Sequence, residues 1–162
     1  MADRAFREEL NRGARLLAQG KAQQAQAVLE RLWEQRPDDV SVAINLGGAC
    51  ILNKQFKRAV PILEAVIERE PLNAMLWTNL GAAYLGNPVL ATREEQDKAV
   101  AAFKRAIECD LSAPNVAYNI GLIYRDRNEI ADAIHWFTRA LQANPLDDDA
   151  RRILERLQQA DR

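Results

Sequence analysis

A single histidine, His135, and two cysteines, Cys50 and Cys109, are the only imidazole and thiol ligands in the chain. The cysteines are far apart and lack metal-ligand spacing, so no zinc site can be assembled from them. Free, buried thiols in a reducing compartment fit them instead. His135 precedes Trp136 and Phe137 and reads as an outer-flank residue. Charge of one sign is also missing: 22 basic and 23 acidic residues give a formal net charge of −1. The broad basic surface that nucleic acid or acidic lipid would need is therefore absent. The short cluster Lys54, Lys57, Arg58 reads as a solvated helix start. No apolar run approaches the roughly 18 residues of a membrane span. The opening MADRAFREEL is charged from its third residue, unlike a signal peptide. Phosphate loops, Gly-x-Ser-x-Gly elbows and zinc-protease signatures do not occur. Acidic pairs such as Glu94-Glu95 and Asp38-Asp39 sit at helix starts, where capping explains them. The expectation is a soluble, cytoplasmic protein that is not an enzyme. It carries no metal or cofactor, binds no nucleic acid and does not insert into membranes.

Glycine and proline are scarce too, at 7 and 6 residues, but they are placed regularly. Gly13, Gly47 and Gly81 are 34 residues apart and Gly121 follows 40 later; Pro37 and Pro71 are again 34 apart. A fixed period of this size marks a repeat array. Copies laid in register from Phe6, Val40, Ala74 and Pro114 place Ala25, Ala59, Ala99 and Ala133 at one site. Leu29, Leu63, Phe103 and Phe137 come four residues later, and Leu32, Val66, Ala106 and Ala140 three beyond those. That spacing is one face of a helix. Sustained alternation of period two is absent, so no strands are expected.

A 34-residue helix–turn–helix unit with Trp77, Leu80, Gly81, Tyr84, Ala99, Phe103 and Ala106 resembles a tetratricopeptide repeat. The resemblance covers residues 6 to 147 and implies an all-α, right-handed α-solenoid of about nine helices. The units are read as 6–39, 40–73, 74–113 and 114–147, with a capping helix at about 148–160. In the first unit Glu9 and Arg12 replace the Ala43 or Trp77 and the Leu46 or Leu80 of later copies, as suits a terminal cap. In the last helix Ala150, Ile153, Leu154 and Leu157 form one apolar stripe. Asp147 to Asp149 precede or open that helix, at the positive end of its dipole.

The third unit holds six extra residues between Leu85 and Ala99, in GNPVLATREEQDK. Asn87-Pro88 signals a turn, and Thr92 with Glu95 a capping box opening the next helix. The insertion lies in the turn between the two helices, either as a tolerated loop or with Val89 and Leu90 making a secondary contact. Leu111 stands where the other units carry proline, so a less sharp link to the fourth unit is expected.

Asn11, Asn45, Asn79 and Asn119 recur at intervals of 34, 34 and 40. On a helical wheel Asn45 points away from the core-type residues Ala43, Leu46, Gly47 and Cys50. Gly47, Gly81 and Gly121 are read as packing glycines. Beside the asparagines lie Ala14, Gly48, Ala82 and Leu122. Leu10, Ile44, Thr78 and Tyr118 flank them, with Leu17, Ile51, Met75 and Leu85 a turn or two away. The resemblance implies that these faces line one concave groove.

A carboxamide pairs with both C=O and N–H of an extended backbone, and apolar walls select side chains. Some tetratricopeptide proteins use such an asparagine ladder. The expected partner is a protein or peptide segment bound at Asn11, Asn45, Asn79, Asn119, Ile44, Gly48, Met75, Ala82, Tyr118 and Leu122. A local structural role for the asparagines stays open. So does an assembly scaffold whose groove is filled by a neighbouring chain through self-association. The chaperone carboxylate clamp is disfavoured, because the matching sites hold Leu10, Ala14, Asn45, Met75 and Asn79 and lack the clamp's cations.

Overall fold

The computed structural model describes residues 2–160, which form nine α-helices and no strand. They are α1 (Ala2–Ala18), α2 (Ala22–Gln35), α3 (Val40–Leu52), α4 (Phe56–Glu64), α5 (Ala74–Leu85), α6 (Arg93–Cys109), α7 (Val116–Asp126), α8 (Ile130–Ala143) and α9 (Asp148–Ala160). Each helix packs against the next in sequence, and α1, α3 and α5 also pack side by side. The result is an all-α solenoid of four helix pairs closed by α9.

Two recurring turns set this course. Inside the first, second and fourth pairs, one residue takes the left-handed conformation: Gly20 (φ 72°), Lys54 (φ 60°) and Asn128 (φ 60°). The next N–H then returns to a carbonyl five residues back, Lys21 to Leu16, Gln55 to Cys50 (both 2.8 Å) and Glu129 to Tyr124 (2.9 Å). This caps the orphan carbonyls of the first helix. The insertion replaces that turn in the third pair.

Between pairs, Asp39, Asn73 and Asp147 each accept from a backbone N–H one turn into the following helix, at 3.0, 3.1 and 2.9 Å. The link after α6, expected to be looser, keeps the backbone turn of its siblings but lacks their side-chain cap. Ala113 N–H reaches Asp110 O at 3.0 Å, matching the bonds at Asp39, Asn73 and Asp147 (3.2, 3.1 and 3.2 Å). The Asp110 carboxylate accepts from the Ser112 N–H (2.9 Å) and hydroxyl (2.7 Å), a side-chain turn that does proline's work. A second departure follows it. Asn115 sits at φ 61°, so α7 begins at Val116, inside the fourth unit, whereas α3 and α5 begin with theirs at Val40 and Ala74.

A third departure concerns Val66, expected on the α4 stripe. The regular helix, which contains Pro61, stops at Glu64, and Val66 N–H bonds Leu63 O in a tighter turn. Val66 nevertheless stays fully buried. At Thr92 the capping box forms as its spacing predicts: Glu95 N–H to Thr92 Oγ1 at 3.2 Å and Thr92 N–H to Glu95 Oε2 at 2.8 Å.

The helices of each pair meet at a glycine. A Cβ on Gly13, Gly47 or Gly81 would come within 2.7, 2.6 and 2.6 Å of Leu29, Leu63 and Phe103, and one on Gly121 within 3.1 Å of Phe137. All four opposing side chains are buried. The apolar interior divides into two clusters. One runs from Phe6 through Leu29, Leu46 and Leu63 to Leu80, the other from Ala99 through Phe103, Ile120 and Phe137 to Ala150. Trp77 and Tyr84 of α5 pack against both.

The ends of the stack are polar. On α1, Glu9 pairs with Arg12 at 3.3 Å, and Arg36 lies 4.1 Å over the Phe6 ring. On α9, Ala150 is buried, while Ile153, Leu154 and Leu157 pack half-buried on the second cluster.

Neighbouring glycines give a contrast to test. Gly47→Ala should destabilise the chain by about 1–3 kcal/mol through overpacking against Leu63. A Cβ on Gly48 meets only Asn79 Nδ2, at 3.7 Å. Gly48→Ala should therefore gain up to about 1 kcal/mol from helix propensity. Urea unfolding of both variants checks the opposite signs.

Candidate functional site

The face that carries the asparagines belongs to the first helix of each pair. None of its residues is buried. Asn11 is exposed, and Asn45, Asn79 and Asn119 are half-exposed. Ala14, Gly48, Ala82 and Leu122 are also half-exposed, as are Leu10, Ile44, Thr78 and Tyr118. Met75 is 62% exposed. The buried glycine row lies on the opposite side of the same helices, against their partners.

The four asparagines share a register but not a bonding pattern. Asn45 Nδ2 donates to Ser41 O at 2.8 Å, within its own helix. Asn79 Nδ2 donates to Ile44 O at 3.2 Å, crossing from α5 to α3. Asn79 Nδ2 passes beside Gly48, where an added Cβ would still be at an ordinary contact distance of 3.7 Å. The Asn11 and Asn119 side chains make no protein hydrogen bond among the described residues. No Oδ1 of the four accepts one either.

The side-by-side packing of first helices that joins α1, α3 and α5 is not continued to the same extent between α5 and α7. Beyond that gap, Tyr118 and Asn119 line a concavity of about 590 Å³ with Leu146, Asp147, Asp148 and Asp149. The Tyr118 ring is held edge-on to Phe137, with centroids 5.5 Å apart.

Two family models, each described as tetratricopeptide repeat, match residues 16–85 and 88–148, together most of the sequence. The chain is a tetratricopeptide repeat protein. As such it is a protein–protein interaction or scaffold module. Several solved structures are similar to it. "MamA 41-end from Desulfovibrio magneticus RS-1" is 24% identical with a TM-score of 0.73, over 88% of this chain and 77% of that one. A crystal structure of MamA protein is 19% identical with a TM-score of 0.78, over 97% and 82%. A MamA AMB-1 structure is 25% identical with a TM-score of 0.75, over 92% and 85%. These likenesses concern the fold. A comparison with curated proteins gave no significant match.

Elsewhere on this tetratricopeptide array, the groups with chemical potential are engaged or dispersed. Among the described residues, no three His, Cys, Asp or Glu side chains gather to hold a metal, and no helix is long and apolar enough to cross a membrane. Cys50 is buried, and burial pushes its thiol pKa up. Cys109 is half-exposed, unlike the expectation of two buried thiols, because it closes α6 beside the turn at Pro71 and directs its Sγ at Pro71 O, 3.7 Å away. His135 is exposed, as its place beside Phe137 implied.

Sequence reasoning missed the role of Tyr84 beyond its signature position. Its hydroxyl donates to Glu64 Oε1 at 2.5 Å, joining α5 to α4. Burial first, then the bond to Glu64 and its charge, raise the phenol's pKa to about 12. The sign is clear: a phenol raised from 10 favours folding fully below pH 10. That contribution is lost as pH rises from 10 to about 12. Absorbance titration near 295 nm should show one late tyrosine that disappears in Tyr84→Phe and titrates earlier in Glu64→Gln.

Proposed function

We propose that the exposed face of the first helices binds an extended peptide segment of a partner protein. Asn11, Asn45, Asn79 and Asn119 engage the ligand backbone, while Ile44, Met75, Tyr118 and Leu122 contact its side chains across a floor kept low by Gly48 and Ala82. One observation carries the reading: among the described residues, all four carboxamide oxygens, and at least one N–H of every carboxamide, are unspent. Such a group matches a peptide's C=O and N–H without reading its sequence. The Asn79 bond to Ile44 O fixes one rung in a defined position, which lowers the ordering cost of binding. The reading is of a binding protein without catalysis or cofactor. The reducing cytoplasm suits its free thiols, Cys50 and Cys109.

Asn79 has a structural bond to lose, so the clean test leaves it intact. Peptides enriched on the intact chain from a phage-displayed random library, labelled with fluorescein, are titrated against an Asn45→Ala/Asn119→Ala variant. Two lost rungs at about 1 kcal/mol each predict roughly 30-fold weaker binding with no fall in the urea midpoint. Equal affinity for both proteins would sink the ladder. Light scattering addresses the scaffold alternative. A mass above 18.2 kDa that grows with concentration and is lost on deleting residues 148–162 would place a neighbouring chain in the trough.

A further inference from the structure

Two features that lie apart in the sequence, the basic cluster at 54–58 and the insertion after Leu85, meet in space. Between them is an open cleft of about 770 Å³. Phe56, Tyr84 and Leu85 line it from the helices, and Leu90 and Ala91 from the insertion; Lys54, Lys57, Arg58 and Glu95 are its charged residues. The volume falls within the range of ordinary ligand sites. Leu90 is 75% exposed and its neighbour Val89 is 90% exposed, so the insertion offers apolar surface to solvent.

The cleft is an enlarged form of a notch that the repeat also produces one period earlier. There Gly20 to Gln24 face Leu52 and Asn53 across about 430 Å³. Side chains tie that earlier junction: Asn53 Nδ2 donates to Gln26 Oε1 at 2.6 Å, and Gln26 Nε2 to Gln55 Oε1 at 2.8 Å. The junction between the third and fourth pairs is tied as well. Arg127, in register with Asn53, donates to Gln96 Oε1 at 2.7 Å and to Asp97 Oδ1 at 2.6 Å. At the middle junction Asn87 holds the same register, but its Oδ1 accepts from Val89 N–H at 3.1 Å within its own loop. Val60 stands in the register of Gln26 and has no side-chain polar group to offer. The one junction with added wall is thus the one left without these ties.

The charges there are unequal. Arg58 pairs with Glu30 at 2.8 Å. Glu95 is engaged by the Thr92 N–H and hydroxyl, and the Tyr84 hydroxyl by Glu64. Lys54 and Lys57 have no ion pair among the described residues. We propose that this cleft docks a linear segment of a partner protein bearing one bulky apolar side chain flanked by Asp or Glu. The apolar side chain packs on Phe56 and Leu90, and its carboxylates meet the Lys54 and Lys57 ammonium groups. The surface uses none of the four trough asparagines, so it works independently of the trough.

The test selects a phage-displayed random dodecapeptide library on the intact chain. Enriched peptides, labelled with fluorescein, are titrated against wild type, Lys54→Glu/Lys57→Glu, Leu90→Ser and Asn45→Ala/Asn119→Ala. All the altered side chains are exposed or half-exposed, and circular dichroism checks that each variant folds. A class of peptides carrying Leu or an aromatic residue beside two or more acidic residues is expected. Their affinity should fall at least 30-fold in the lysine variant and at least 5-fold in Leu90→Ser. It should weaken with salt and stay unchanged in the asparagine variant. Peptides with the opposite sensitivity report on the trough, so failure of one site is distinct from failure of the other. Enrichment of no acidic class, or acidic peptides that bind all variants equally, overturns the proposal. Self-association of the chain abolished by Lys54→Glu/Lys57→Glu also overturns it, by making a second copy the occupant.

Discussion

The close approach of a glycine to a large side chain sixteen positions later in register governs the rest of the structure. Gly13, Gly47, Gly81 and Gly121 each cost about 1 kcal/mol of helix propensity relative to alanine. In return they admit Leu29, Leu63, Phe103 and Phe137 to sites sealed from water, where each such side chain gains about 1.5–3 kcal/mol from burial. The separation of the two helices in a pair is set by this contact. It turns the opposite side of every first helix outward, which is why the asparagine row is never buried. The exposure of that face is a consequence of packing on the other.

Helix α5 has a position no other helix holds. Leu76, Leu80 and Ala83 complete the first core cluster, and Trp77, Ala82, Tyr84 and Leu85 border the second. The indole N–H of Trp77 donates to Pro71 O at 2.8 Å, and the Arg105 guanidinium lies 5.6 Å over its ring. The insertion, the uneven packing of α7 and the cleft at Phe56 all occur next to this helix. The irregular part of the array is concentrated where its two halves are joined.

What could be read from the sequence depended on whether the determining residues share one period or one turn. The helix pairs, the packing glycines and the Thr92–Glu95 box follow from fixed local spacings. Asn45 and Asn79 hold the same register yet bond differently, because the second depends on how far α3 and α5 are displaced along each other. The Asp110–Ser112 turn carries no proline signal, and a carboxylate serves the same end. The cleft needed segments some thirty residues apart to be placed together. Each is legible alone, the lysines as solvated surface and the insertion as a loop with exposed apolar residues. Only their adjacency was hidden.

Repeat arrays ordinarily fray, because each unit depends on its immediate neighbours alone. A helix shared between two cores changes that expectation here. Opening α6 to α9 would strip Trp77 and Tyr84 of their contacts with the second cluster, and losing α1 to α4 would remove the first cluster from around Leu76 and Leu80. Neither half retains a finished interior without α5. Cooperativity between the halves therefore rests on one twelve-residue helix, and the slowest-exchanging amides of the molecule should gather at its centre rather than in the middle of either half.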